Sequence, residues 1–242
     1  MQIDNPGHYR TSTELDIMAE LLPLEGARVL ELGCGRAWMT RYLAENHAVA
    51  HIVATEVDRI QHQKNMAISD LPNVSFVVGG AESIAEPDAS IDVVLMLKSL
   101  HHVPVELMKT ALTEISRVLK AGGVAYISEP VYRGDFNEIL RLFNDEKIVR
   151  EAAFEAIRDA LESGILESAA DCFFESPGHY ADWSEFEQHM LNVTHTDHAI
   201  DANLYAKIKA AFMQRMEADG AHFMRPSRVN LLRKPLSRKL TT

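Results

Sequence analysis

A doubly wound α/β fold, with a mostly parallel seven-stranded sheet and helices on both faces, is predicted by three features of the 242-residue chain. Continuous apolar runs recur through the first half, helical patterns separate them, and turn residues mark the junctions. The runs fall at 28–32, 51–55, 74–78, 92–97 and 124–128, where a strand buried on both faces reads apolar throughout instead of alternating. Between them, Trp38, Met39, Tyr42 and Leu43 share one helical face, and Leu112, Ile115 and Leu119 share another. Leu71-Pro72-Asn73 and Glu86-Pro87-Asp88 punctuate the approach to the third and fourth strands, and Ala121-Gly122-Gly123 reads as the end of a helix before the fifth.

After Pro130 the rhythm changes. Ile139, Leu142, Phe143, Ile148, Phe154, Ile157 and Leu161 recur at helical spacing over 135–163, which reads as an amphipathic insertion serving as a lid. A sixth strand near 171–175, helices near 183–191 and 201–218, and a closing strand at 229–232 complete the chain. We therefore expect one domain over 1–242, with an N-terminal helical cover at 1–24 and a ligand-binding core at 25–130. The lid and sixth strand take 131–200, and the last helix and closing strand 201–242. Pro-Gly-His-Tyr occurs at 6–9 and again at 177–180, a repeat short enough to be coincidence or two similar turns.

Charge and cysteine usage narrow the function classes. With 24 basic against 35 acidic residues the net charge is −11, which repels a phosphate backbone and argues against a nucleic-acid partner. Six basic residues and no acid follow Gly220, so residues 1–219 hold 18 basic against 35 acidic residues; we read the basic end as solvated flanks of the last strand. Cys34 and Cys172 lie far apart and form neither a disulfide framework nor a metal knuckle, which fits a reducing cytoplasm. No apolar run reaches the roughly 18 residues that span a bilayer, and no basic segment leads into an apolar one at the N-terminus.

The chemistry concentrates at the end of the first strand. Gly33 and Gly35 there allow close approach of backbone to a ligand, and the following helix offers free N–H groups. A dinucleotide fingerprint needs a third glycine where this chain has Trp38, which argues against NAD or FAD. Glu31 beside the loop would oppose a pyrophosphate and favour an ammonium, a charge pattern that suits S-adenosylmethionine. Glu56 ends the second strand 21 positions beyond Gly35, the spacing at which a carboxylate accepts two ribose hydroxyls; Asp58 is its rival, and reads better as the cap of the next helix.

Val29-Leu30-Glu31-Leu32-Gly33-Cys34-Gly35, Thr55-Glu56-Val57-Asp58, Leu100-His101-His102-Val103-Pro104 and Arg117-Val118-Leu119-Lys120-Ala121-Gly122-Gly123 occur in this order. Over about 25–130 the chain resembles the class I S-adenosylmethionine-dependent methyltransferases, in the small-molecule branch that includes quinone-biosynthesis enzymes. The resemblance implies a Rossmann-like methyltransferase fold, S-adenosylmethionine as cofactor with S-adenosylhomocysteine as product, and a small-molecule acceptor. It also implies cofactor contacts from Gly33, Cys34, Gly35 and Ala37, from Val57 beside Glu56, from Gly80, Ala81 and Glu82 at the adenine, and from Leu97, Lys98 and Ser99 at the methionine part. Ala37 stands where relatives often have a third glycine. Gly79-Gly80-Ala81 stands where many have Gly-Asp-Ala, leaving the adenine amine to Glu82 or a backbone carbonyl.

Methyl transfer from a sulfonium needs alignment in a dry pocket more than a catalytic triad, with a general base where the acceptor is protonated. His101 and His102, after the fourth strand, are candidates for that base, or pack against the cofactor and begin the next helix. Glu129, Tyr132 and Arg133 follow the fifth strand and are candidates for the acceptor side, while His8 and Tyr9 would close over the cofactor. Cys34 reads as a small loop residue. No metal is expected, since His195-Thr196-Asp197-His198 lacks companion ligands. A non-catalytic module that retains S-adenosylmethionine or S-adenosylhomocysteine is the alternative function, and a homodimer through the lid helices is left open.

Overall fold

A computed structural model describes residues 1–192 and 199–236. Among these the chain runs β1 (Arg10–Thr11), α1 (Glu14–Leu21), β2 (Arg28–Leu32), α2 (Trp38–Asn46), β3 (His51–Glu56), α3 (Arg59–Asn65), β4 (Val74–Val78) and β5 (Ile91–Leu97). It continues with α4 (Met108–Val118), β6 (Leu119–Pro130), α5 (Asp135–Leu140), α6 (Lys147–Glu162) and β7 (Glu167–Tyr180). The last elements are α7 (Trp183–Met190), α8 (Ala202–Met213), β8 (Met216–Glu217) and β9 (Gly220–Arg233). One nine-stranded sheet has the order β1-β7-β9-β6-β5-β2-β3-β4, with β8 paired to β9.

The expected α/β architecture is present, and its seven long strands are those read in the sequence. The two additional strands, β1 and β8, are two residues each, too short to leave an apolar pattern. The ladders β1 to β7, β4 to β3 to β2 to β5, and β5 to β6 are parallel. All three ladders made by the long β9 are antiparallel.

Consecutive residues of the central strands serve opposite faces. Val29, Val93, Leu95 and Tyr126 pack with Ile17 and Met18 of α1 and with Met39 and Leu43 of α2. Leu30, Val94, Met96 and Ile127 pack with Leu112 and Ile115 of α4 and with Ala153, Ile157 and Ala160 of α6. Both faces are thereby removed from water, which is why the strand runs are continuous.

Local chemistry sets the helix ends. Thr13 and Asp16 form a capping box on α1, Asp58 accepts the Ile60 and Gln61 N–H groups at α3, and Asp182 and Asp201 cap α7 and α8. Asp58 thus occupies the capping role that its spacing predicts.

Several sequence expectations are corrected. Trp38 does not join the buried face of α2 but stands 59% exposed, while Met39 and Leu43 are buried. The residues Ala121-Gly122-Gly123 end no helix: α4 stops at Val118 and they lie inside β6, where a Cβ on Gly123 would meet two carbonyl oxygens at 3.0 Å. The tetrapeptide at 6–9 lies in a turn region, while its copy at 177–180 is extended within β7, so the two are not similar turns.

The expected lid at 135–163 divides in two. α6 buries Ala153, Ile157 and Ala160 in the sheet layer beside α4 and is a core helix. The cover is built instead from α5, α7, α8 and the outer ends of β7 and β9, around Ile139, Tyr180, Trp183, Phe186, Phe212 and Phe223. No described helix is long and apolar enough to cross a membrane.

Ala89 sits in the turn before β5, solvent-exposed and at φ 52, in the left-handed region that costs a Cβ-bearing residue roughly 1–2 kcal/mol. Glycine gives back about 0.5–1 kcal/mol of this through its freer unfolded chain. We therefore expect Ala89→Gly to stabilise the fold by about 0.5–1 kcal/mol. A urea unfolding midpoint that falls instead of rising would contradict this.

Candidate active site

The carboxyl ends of β2, β3, β4 and β5 lie side by side in the sheet, and the residues read from sequence as cofactor-binding gather along that edge. Gly33 and Gly35 adopt φ 80 and φ 51, and Ala37 shares their left-handed conformation at φ 59. A Cβ on Gly33 would fall 3.0 Å from the Cβ of Ser99, so glycine is what lets the β2 and β5 loops meet. Cys34 N–H donates to the Thr55 carbonyl at 2.9 Å, and Asn65 Nδ2 donates to the Gly35 carbonyl at 2.8 Å. Ala37 provides no side-chain cap for α2, leaving the first-turn N–H groups to a ligand or solvent.

Two carboxylates flank this loop. Glu31 is buried, accepts a hydrogen bond from Thr40 Oγ1 at 2.5 Å, and has no cationic partner among the described residues. Burial pushes its carboxyl up to about 7, with Glu56 adding to the rise and the Thr40 hydroxyl opposing it. Glu56 accepts the Gly35 N–H at 2.8 Å and the Asp58 N–H at 2.9 Å, so both its oxygens are aimed at the loop and its neighbour. Cys34 is buried beside the two acids, and its thiol is pushed well above the ordinary range, first by burial and then by those charges. That is the opposite of an activated thiolate.

Further along the same edge, Ala81 is buried and Glu82 folds its carboxylate back over Gly80, into space a Cβ there would occupy. Val57 is exposed on the rim. Leu97 ends β5, and Lys98, at φ 55, is exposed. Ser99 Oγ donates to the Leu32 carbonyl at 2.9 Å.

Beside this edge opens a cavity of about 670 Å³, walled by the loop after β5, the end of β6, α5, the start of α6 and the outer ends of β7 and β9. His101 and His102 both line it. His101 is buried, its Nδ1 against Glu129 Oε2 and its Nε2 3.7 Å from Glu146 Oε2. The other Glu129 oxygen accepts the Leu100 N–H at 2.9 Å, so one buried carboxylate fixes both the imidazole and the turn that carries it.

Arg150 Nη2 meets Glu146 Oε2 at 2.5 Å, and Arg150 Nη1 donates to Asn137 Oδ1 at 3.0 Å. Burial raises the Glu146 carboxyl, but His101 and Arg150 outweigh it and hold the group below its ordinary value. His101, His102 and Glu146 also bring one ligand atom each within 4.8 Å of one another, the group among the described residues able to hold a cation. The segment 195–198 lies outside the described residues.

The acceptor-side candidates separate. Arg133 lines the cavity and pairs with Asp4 at 3.4 Å. Glu129 lies behind the wall, holding His101. Tyr9 donates to Asp4 at 2.8 Å and packs edge-on against Phe173, and Tyr132 faces Arg141 and Asp145; neither lines the cavity. His8 pairs with Asn5 on the surface. Sequence reasoning missed Phe136, Asn137, Glu146, Arg150, Tyr180 and Arg225, all cavity-lining and scattered over five elements or connections.

Residues 29–123, the stretch containing this loop edge and both histidines, match the methyltransferase domain family. The chain is 30% identical to the fatty-acid O-methyltransferase of Mycolicibacterium smegmatis over 168 residues, 65% of this chain and 58% of that protein. It is 32% identical to the phthiotriol/phenolphthiotriol dimycocerosates methyltransferase 1 of Mycobacterium ulcerans over 116 residues, 48% of this chain and 40% of that one. The chain thus spans about half the length of these curated relatives. Its fold matches that of the YcgJ protein from Bacillus subtilis with a TM-score of 0.63 at 18% identity, covering 91% of this chain and 97% of the neighbour.

Proposed function

We propose that this protein transfers a methyl group from S-adenosylmethionine to an oxygen of a small-molecule acceptor, with the donor along the glycine-loop edge and the acceptor in the adjoining cavity. The observation that carries the reading is Glu31, a buried carboxylate without a cationic partner among the described residues, at the lip of a glycine loop. An amino-acid ammonium supplies that missing charge. Glu56 would accept the ribose hydroxyls; Val57, Gly80, Ala81 and Glu82 would frame the adenine; Leu97, Lys98 and Ser99 would flank the methionine part. The loop backbone from Gly33 to Ala37 would close against it. On this reading the donor would lie in the core of 25–130.

When bound, S-adenosylmethionine brings a methyl on a positively charged sulfur that departs as a neutral thioether, so the protein need not activate the leaving group. Glu31, Glu56 and the loop from Gly33 to Ala37 would hold this donor, and what it would supply is an already activated methyl for the acceptor oxygen in the adjoining cavity. His101 in its neutral form would take the hydroxyl proton on Nε2, with its ring held by Glu129 on the other nitrogen, and Glu129 and Glu146 would stabilise the imidazolium so formed. The apolar part of the cavity wall, and relatives named for fatty-acid and dimycocerosate substrates, support an apolar acceptor.

The test is calorimetric titration with S-adenosylmethionine and S-adenosylhomocysteine, followed by transfer to an acceptor panel. No binding by folded protein removes the donor site, and binding without transfer leaves the non-catalytic alternative. The Glu31 carboxyl gives a sharper check. With its pKa at about 7, it is largely protonated near pH 6, and an arriving ammonium favours the ionised form and expels the proton. Affinity is therefore expected to rise with pH up to about 7 and then level. At pH 6.5 the binding heat should depend on the ionisation enthalpy of the buffer, a dependence that Glu31→Gln abolishes. A buffer-independent heat in the wild type would contradict the assignment.

A further inference from the structure

We infer that the acceptor is a hydroxy acid, whose carboxylate docks on Arg225 in the roof of the cavity while its hydroxyl lies at the floor beside His101. This rests on the reading that the cavity receives the acceptor. Four permanent cations line the cavity, Lys98, Arg133, Arg150 and Arg225. Arg150 is committed to Glu146 and Asn137, Arg133 to Asp4, and Lys98 stands on the exposed rim.

Arg225 differs from all three. It has no carboxylate partner among the described residues, and its Nε is buried without a hydrogen-bond acceptor. Its guanidinium lies 4.7 Å from the Phe136 ring and 5.4 Å from the Tyr180 ring. Those π faces stabilise a cation and hold its plane but leave its in-plane N–H donors without an oxygen. Position 178 is glycine, and a Cβ there would fall 2.3 Å from Arg225 Nε, so the sequence leaves room for the guanidinium in this place.

Neither acid on the wall compensates it. Glu146 is held by Arg150 and His101, and Asp145 accepts the Lys147 N–H at 3.1 Å and faces Tyr132 and Arg141. A planar donor fork on a cavity wall, its Nε buried with an unmade hydrogen bond, is matched by a carboxylate.

Position separates the two ends of the ligand. Ser227 of β9 pairs with Pro130 of β6, one residue beyond the Glu129 that holds His101. Arg225 lies two residues further along β9, so its backbone stands about 7 Å past that rung. A carboxylate is ionised at neutral pH and needs no base, whereas a hydroxyl does. The base at the floor therefore serves the hydroxyl, and the cation in the roof holds the acid. Val131, Leu140 and Phe143, also on the wall, would enclose the apolar frame between them.

The experiment is calorimetric binding to the full chain, in the presence of S-adenosylhomocysteine, of two matched pairs. One is 3-(4-hydroxyphenyl)propanoate and its primary amide; the other is 10-hydroxydecanoate and its amide. At least one acid is expected to bind about tenfold or more tighter than its amide, the size of one charge-assisted interaction. Arg225→Met, which keeps an apolar stem against Phe136, should bring that ratio to about one, and Arg225→Lys should keep part of it. Arg225→Gln replaces the methionine variant if circular dichroism shows the latter unfolded.

Equal binding of acid and amide by the wild type overturns the inference, and so does a ratio that survives loss of the guanidinium. Because nothing here depends on turnover, an Arg225-dependent acid preference without methyl transfer would overturn the proposed reaction alone. Methyl transfer to neutral acceptors without acid preference would overturn this inference alone.

Discussion

Replacing His101 with glutamine is expected to lower kcat by roughly 10²- to 10⁴-fold, the contribution of a positioned general base. The Kd for S-adenosylmethionine should stay within about twofold, because His101 lines the acceptor cavity and not the glycine loop. Glutamine is the informative substitution. Its amide can still donate to Glu129, whereas alanine would leave that carboxylate buried, 1% exposed, with one oxygen unpartnered. Glu129→Gln should give a comparable loss, since both Glu129 oxygens accept, from the Leu100 N–H and from His101 Nδ1, and an amide that keeps the first bond turns its NH2 to the imidazole and sets the wrong tautomer. His102, exposed at the cavity, serves as the internal comparison. Single-turnover rates with saturating donor measure the effect directly, and a His101→Gln enzyme within about fivefold of wild type would rule out its role as base.

Glu56→Ala is expected to weaken S-adenosylmethionine binding by about 10- to 150-fold, the loss of one charge-assisted pair of hydrogen bonds worth about 1.5–3 kcal/mol. The ligand-free geometry explains why the effect should be large. Glu56 holds the Gly35 N–H at 2.8 Å, so its removal also frees the loop that must close on the donor. Glu56→Gln keeps one acceptor oxygen and should fall between the two. Calorimetry on all three proteins checks the order, and an unchanged Kd in the alanine variant would move the ribose contact elsewhere.

How much of this was legible in the sequence follows from how local each feature is. The parallel strands announced themselves because Val93, Val94, Leu95 and Met96 must be apolar on both faces at once. The loop edge did so because Glu31 through Ala37 and Glu56 through Asp58 are contiguous motifs at strand ends. The outer halves of β7 and β9 were not seen, since Ser176-Pro177-Gly178 and Arg225-Pro226 carry turn-forming residues inside extended strands.

The role of α6 was also missed, because an amphipathic helix shows that it has a buried face but not which surface covers it. The cavity was the least visible part. Its wall draws Phe136, Glu146, Tyr180 and Arg225 from segments far apart in the chain, and no spacing rule connects them. Tyr9 and Tyr132 were reasonable by position, yet the structure turns both toward Asp4 and Asp145 instead.

The pairing of Tyr180 with Ala221 at the far end of the β7–β9 hairpin has a consequence for remodelling. The described residues 181–192 and 199–215 lie outside the sheet, between Tyr180 of β7 and the β8–β9 turn that pairs beside it, while β6, β5 and the glycine loop lie on the other side of β9. That stretch is therefore a cassette with both of its splice points fixed in space. Exchanging it for the corresponding stretch of another chain would retune what enters from above while leaving the donor edge untouched.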